Sequence, residues 1–227
     1  MSDSRNFIKF LLSDIFYTSL TEQITMENLI TGIQAMSAVE WIATITALFY
    51  VGLAAKESVW CWFFGIISCT IWAYITFTSY NLYLDAGLNV FYVLMGFWGI
   101  YQWQYGSSQK AELPISRMTL SQHARILVVG AVLGLLFGYF FDTYTPAAAT
   151  YLDAFTTVFA IIATFLVVQK KLENWWYWVV IDAVYVYLYI TRGAYLFAVV
   201  YLVYTVIAVF GYFSWKKNSK VTIYSSL

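Results

Sequence analysis

One carboxylate stands apart from the others. Asp182 lies inside "ENWWYWVVIDAVYVYLYI", residues 173–190, a stretch otherwise made of apolar and aromatic side chains. An acidic residue near the centre of a bilayer costs about 2.5–3.5 kcal/mol to insert, so Asp182 is expected to face a bundle interior or a wet cavity. Trp178 lies one turn before it, and Tyr185 and Tyr189, three and seven residues after it, share its helix face. Elsewhere Asp85, Asn89 and Tyr92 recur at spacings of four and three, while Ser68, Thr70 and Trp72 occupy the middle of one apolar segment and Tyr201 and Tyr204 that of another. Such a set suits a flat, partly polar solute. Rings stack on it, carboxylate and amide bind its hydroxyls, and a negative charge beside π faces holds a cation. The candidate binding residues are therefore Trp178, Asp182, Tyr185, Asn89, Tyr92, Ser68, Trp72 and Tyr204. For Ser68 and Thr70, hydrogen bonding between helices is an equally good account.

No other chemistry competes strongly. Cys61 and Cys69 lie eight apart in one apolar segment, a spacing that suits neither a disulfide framework nor a metal site, and read as packing residues. The single histidine, His123, has no second ligand at metal spacing and reads as interfacial. No P-loop or Gly-rich phosphate cradle is present, so neither cofactor nor metal nor direct ATP coupling is expected. An intramembrane enzyme using Asp182, Asp85 or Asp153 is the competing class. It is disfavoured because Asp85 and Asp153 fall near the outer ends of their segments with no nucleophile and base converging on them.

The elements that position these residues follow from composition. The 227-residue chain is 62% hydrophobic and 11% charged, which marks an all-α polytopic membrane protein, and its net charge of zero argues against nucleic acid. Seven segments are long and apolar enough to span a bilayer: 37–55, 58–79, 82–104, 122–141, 149–169, 174–191 and 193–215. Ser37 and Glu40 form a capping-box pattern at the first. Before it, "RNFIKFLLSDIFYTSL" is interrupted by Lys9 and Asp14 and reads as an amphipathic helix at the interface rather than a cleaved signal peptide. Trp60, Trp62, Trp175 and Trp176, near helix starts, read mainly as an aromatic belt. Lys56, Lys110, Arg117, Arg125, Lys170, Lys171, Lys216, Lys217 and Lys220 fall on one side of the seven segments, and only Arg5, Lys9 and Arg192 on the other. The excess puts the C-terminus in the cytoplasm and the N-terminus outside.

The chain also matches itself. Laying "KESVWCW" on "KLENWWYW" pairs Glu57, Trp60 and Trp62 with Glu173, Trp176 and Trp178 at an offset of 116, while Tyr83, Ala86, Tyr92, Gly99 and Trp103 pair with Tyr195, Ala198, Tyr204, Gly211 and Trp215 at 112. On this reading the second copy has lost four residues near "FTSYNLY". Two parallel three-helix repeats joined by a connector helix result, a 3+1+3 plan with an interfacial segment at 1–36, repeats at 37–104 and 146–215, a loop and connector at 105–145 and a cytoplasmic tail at 216–227. In the connector, Gly130, Gly134 and Gly138 form one stripe suited to close packing or to an oligomer surface. Parallel repeats with a site near the midplane describe one class of small-solute transporter.

Glu173-Asn174-Trp175 followed by Trp178 and Asp182 resembles the "ENWxxWxxxN/D" signature of the PnuC-type vitamin transporters. "FFGIISCTIW", "NLYLDAGLNVFYVLMGFWGIYQW" and Asp153 before "AFTTVFAIIATFLVVQKKLENW" extend the resemblance over residues 40–216. It implies a fold similar in outline to SWEET sugar transporters, in a bacterial inner membrane. It also implies facilitated uptake of nicotinamide riboside, with cytoplasmic phosphorylation trapping the product. Thiamine, riboflavin and deoxynucleosides are the alternative solutes. Besides the solute and the lipid bilayer, the expected partner is a further copy of the chain in a homo-oligomer such as a trimer.

Overall fold

A computed structural model describes residues 25–80, 83–107, 112–144 and 150–225. The expected amphipathic helix at the N-terminus lies outside these. The described chain is helical: α1 (Met26–Ala35), α2 (Ala38–Ala55), α3 (Trp60–Thr78), α4 (Tyr83–Tyr105), α5 (Leu120–Tyr144), α6 (Thr150–Val168), α7 (Asn174–Thr191) and α8 (Tyr195–Ser225). Five of them, α2, α3, α5, α6 and α8, are long and apolar enough to cross a membrane. The other two expected spans, α4 and α7, have comparable lengths of 23 and 18 residues. Their tyrosines, tryptophans and polar residues lower their hydropathy. A polytopic membrane protein results.

The ends of the helices have local causes. Ser37 caps α2 as the sequence predicts: its Oγ accepts from the Glu40 N–H, and the Glu40 carboxylate accepts from the Ser37 N–H at 2.7 Å. Helix α1 was not expected. Thr25 caps it, its hydroxyl accepting from the Asn28 N–H, and Gly32 lets it lie against Leu196 of α8. Helix α8 runs ten residues past the expected end at 215, because Lys216–Ser225 contains neither Gly nor Pro to stop it.

Helix contacts close a ring: α2 on α3, α3 on α4, α4 on α6, α6 on α7, α7 on α8 and α8 back on α2. Helix α5 stands outside and packs on α6. The glycine stripe is the reason, since a Cβ at Gly130, Gly134 or Gly138 would collide with Phe159, Phe155 or Tyr151 of α6. That stripe packs within the chain, and the opposite face of α5, with Leu135, Leu136 and Tyr139, is exposed.

Matching features recur around the ring, in a register that corrects the sequence reading. Among the described residues Glu57 and Lys170, 113 residues apart, are the two non-glycine residues with left-handed backbone, at φ 60° and 46°. Their N–H groups bond the carbonyls of Ala54 and Val167, and those of Ser58 and Lys171 bond Leu53 and Leu166, all at the same offset. Gly99 and Gly211 are each pressed by a tryptophan ring, Trp62 and Trp175 respectively. The offset is therefore 113 for the first two helices of each set and 112 for the third, so one residue has been lost rather than four. Matching Glu57 to Glu173 followed chemical identity. The turn geometry instead matches Glu57 to a lysine.

Candidate functional site

One end of the ring is sealed by aromatic packing. Trp62, Trp103, Trp215 and Trp175 pack in series, edge to face or tilted, with centroids 5.4, 5.7 and 5.4 Å apart. All four are buried. For Trp62 and Trp175 this corrects the belt reading, while Trp60 and Trp176 are exposed as a belt requires. The Trp103 Nε1–H donates to the Val167 carbonyl at 3.1 Å, and the Trp215 Nε1–H to the Ala54 carbonyl at 2.9 Å. Lys170, itself buried, pairs with Glu57 at 2.9 Å and lies 4.7 Å from the centre of a Trp103 ring. A stretch after α4 braces this end: Ser116 pairs with the strand-like turn at Lys170–Leu172, and the Met118 N–H donates to Glu173.

Within the ring, Asp182 of α7 is 3% exposed. Among the described residues none forms an ion pair with it or donates a hydrogen bond to it. Tyrosines surround it from α7 and α8: Tyr185, Tyr201 and Tyr204 are its ionisable neighbours. They form a continuous wall, with centroids 4.7 Å apart for Tyr185 and Tyr201, 5.2 Å for Tyr189 and Tyr201 and 5.3 Å for Tyr201 and Tyr204. Phe197 joins Tyr189 to Trp72 of α3, at 5.5 and 6.0 Å. Tyr92 of α4 has Tyr185, Cys69 and Tyr50 around it. Trp178 packs against both the tryptophan seal and the smaller cluster of Ala160, Ala163 and Ile181.

The predicted residues divide accordingly. Asp182, Tyr185, Tyr204, Tyr92 and Trp72 come together around one interior, and Trp178 sits between that interior and the seal. Ser68 is buried but engaged, its Oγ donating to the Ala43 carbonyl at 2.8 Å, which is a bond between α3 and α2. Thr70 is exposed. The Asn89 amide donates to the Asp85 carbonyl of its own helix at 2.9 Å. Sequence reasoning missed Phe197 and Cys69. At the 113 offset Cys69 stands opposite Asp182, so the correct repeat register would have found it.

The other end of the ring carries the acids. Asp153 of α6 pairs with Arg192 at 2.6 Å, with Asp85 nearby. At the matching place Glu40 of α2 accepts from the Tyr80 phenol. That bond holds the phenol above the usual tyrosine range. A cleft of about 280 Å³ opens beside this pair, between α1 and the start of α8. Back at the sealed end, His123 of α5 hydrogen-bonds Tyr177 at 2.9 Å with the rings nearly parallel. Among the described residues no cluster of His, Cys, Asp and Glu is able to hold a metal.

Known proteins of this kind are transporters. The profile of a family described as "Nicotinamide mononucleotide transporter" matches residues 37–217. The nicotinamide riboside transporter PnuC of Escherichia coli is 28% identical over 210 residues, spanning 82% of this chain and 87% of that one. PnuC of Neisseria mucosa is 26% identical over 208 residues, spanning 83% and 78%. The riboflavin/roseoflavin transporter RibM of Streptomyces davaonensis is 23% identical over 186 residues, spanning 80% and 85%. A crystal structure of the vitamin B3 transporter PnuC superposes with a TM-score of 0.68 at 23% identity over 89% of each chain, which shows the fold. Matched along most of its length, this chain belongs to the nicotinamide mononucleotide transporter family, a family of multi-pass membrane transporters rather than enzymes.

Proposed function

We propose that the protein is a facilitative carrier of nicotinamide riboside, bound inside the ring near the bilayer midplane. The observation that carries this reading is the buried Asp182 carboxylate, unpaired among the described residues and faced by a tyrosine wall. A buried charge without a partner is costly, and a cationic solute supplies the partner. The positive pyridinium ring meets the carboxylate and the π faces, and the ribose hydroxyls meet the phenols. The names of the PnuC relatives support the solute.

The matched turns, glycine contacts and tryptophans support α2–α4 and α6–α8 as two parallel repeats, with α5 as the connector of a 3+1+3 plan. The solute then lies where the repeats meet, as in other parallel-repeat carriers. The lysine and arginine excess places the C-terminus and the tryptophan seal on the cytoplasmic side of a bacterial inner membrane and the N-terminus outside. Phosphorylation there traps the solute. The exposed apolar face of α5 supports a homo-oligomer, such as a trimer.

Proteoliposomes holding the purified protein, without an ion gradient, test the reading. Labelled nicotinamide riboside is expected to exchange against unlabelled solute inside. No counterflow would overturn the assignment, and chemically altered solute in the lumen would point to an enzyme. The RibM relative favours riboflavin as the second solute, and counterflow of riboflavin in place of nicotinamide riboside would select it.

A further inference from the structure

The Glu-Asn-Trp motif takes no part in the solute site. Trp175 belongs to the tryptophan seal, Asn174 is wholly buried beside it, and Glu173 holds the brace at Met118. We propose that the four-tryptophan seal is the gate on the C-terminal face of the carrier, and that the motif is part of this gate. The proposal rests on the carrier reading.

Every bond that closes the seal crosses a boundary between the two halves. Trp103 of α4 reaches α6, Trp215 of α8 reaches α2, and Lys170 reaches Glu57. Within the first half α2, α3 and α4, and within the second α7 and α8, pack far more extensively than helices do across the two boundaries. Separating α4 from α6 and α8 from α2 therefore breaks two indole hydrogen bonds, the Lys170–Glu57 ion pair and the bond from the Asn218 amide to Glu57 while leaving each half intact. A carrier must part its halves at one end at a time, and these are the few discrete contacts that such a step would trade.

Two further features mark an element with a second arrangement. The Nε1–H groups of Trp62 and Trp175, which occupy matching positions in the two halves, are buried without an acceptor. Buried donors are nearly always paired, so a matched pair of orphans favours an alternative state in which water reaches both. Glu57 and Lys170 hold left-handed backbone at the turns beneath the seal, a strained conformation for residues with side chains. Trp178 touches seal and solute site alike, so a bound solute has a direct means of acting on the gate.

The chain carries its own reporter. Cys61 is 0% exposed and lies within the seal, whereas Cys69 lies deeper along the same helix. Proteoliposomes are treated with a membrane-impermeant methanethiosulfonate reagent during nicotinamide riboside exchange, and modification is assigned to Cys61 or Cys69 by peptide mass. Cys61 is expected to react several-fold faster during exchange than at rest. In the Trp103→Phe, Trp215→Phe double variant, which keeps ring volume but removes both indole donors, its rate at rest is expected to rise about tenfold, each bond shifting the open population a few-fold. If that variant fails to fold, Glu57→Gln removes the ion pair alone and is expected to raise the rate about threefold. Exchange proceeding in wild type and variant while Cys61 stays unmodified would overturn the gate and make the seal permanent. Modification of Cys61 without exchange would instead overturn the solute assignment and leave the gate standing.

Discussion

The two halves of the ring share a frame and differ in what they line it with. Turns, left-handed residues, pressed glycines and latching tryptophans match at offsets of 113 and 112. The interior positions do not. Where the second half places Asp182, Tyr185, Tyr189, Phe197 and Tyr201, the first has Cys69, Trp72, Thr76, Asp85 and Asn89, and Tyr92 and Tyr204 alone agree. A frame of matched halves needs symmetric contacts to close on itself, but the proposed solute, with one charged ring and one sugar, has no symmetry to match. The frame has kept its pairs, and the lining has put the buried carboxylate, Asp182, in one half and the more exposed Asp85 in the other.

The hardest blow to the shared frame falls at Glu57 and Lys170, equivalent positions carrying opposite charges. Lys170 is nearly excluded from solvent, so Lys170→Met leaves Glu57 without its cation and Trp103 without the ammonium over its ring, and is expected to cost about 3 kcal/mol, read as a lowered melting temperature in detergent. Exchanging the charges, Glu57→Lys with Lys170→Glu, is expected to restore most of that loss. A double variant no more stable than Lys170→Met would show that the two positions are not equivalent.

The lining is tested by contrast between halves. Asp182→Ala is expected to weaken solute binding by about 2–4 kcal/mol, some thirtyfold or more, because it removes the buried carboxylate beside Tyr185, Tyr201 and Tyr204. Its counterpart Cys69→Ala is expected to cost about threefold, from lost packing alone. Isothermal titration of both variants with nicotinamide riboside decides the matter. Equal losses would place the charge recognition elsewhere.

Much of this frame was legible in the sequence, and its limits have physical causes. Length and apolarity set the spans, because burial in lipid is a property of each segment by itself. The capping box of Ser37 and Glu40 was legible for the same reason: it is local. What a tryptophan packs against is not local. Trp60 and Trp62 look alike in sequence, yet one is exposed and the other seals the ring, because two residues along a helix turn the side chain to another face. The repeat register slipped by three for a related reason. In a chain with ten tryptophans and twenty tyrosines, identities recur at many offsets. Only turn hydrogen bonds, which do not depend on identity, fix the right one. Asp182, Tyr185 and Tyr204 lie in the interior, as an acid and phenols in a span call for. Ser68 and Asn89 spend their polar groups on backbone carbonyls, which composition does not reveal.

The latches and the acid-bearing ends predict smaller effects. Trp103→Phe and Trp215→Phe are each expected to cost about 1 kcal/mol of stability, and equally, since each loses one indole hydrogen bond of the same kind. At the far end the halves differ. Arg192 and Asp153 form an exposed ion pair, so Arg192→Gln is expected to cost less than about 0.5 kcal/mol, and still less at high salt. Tyr80→Phe removes a bond to the buried Glu40 carboxylate and is expected to cost about 1 kcal/mol with little salt dependence. Thermal melts at low and high salt separate the two: a salt-sensitive loss at Tyr80, or a salt-insensitive one at Arg192, would break the contrast. If it holds, the second half closes this end with a contact that solvent and ions weaken and the first with one they do not, so the ion pair beside Tyr189 is the side that yields first as salt is raised.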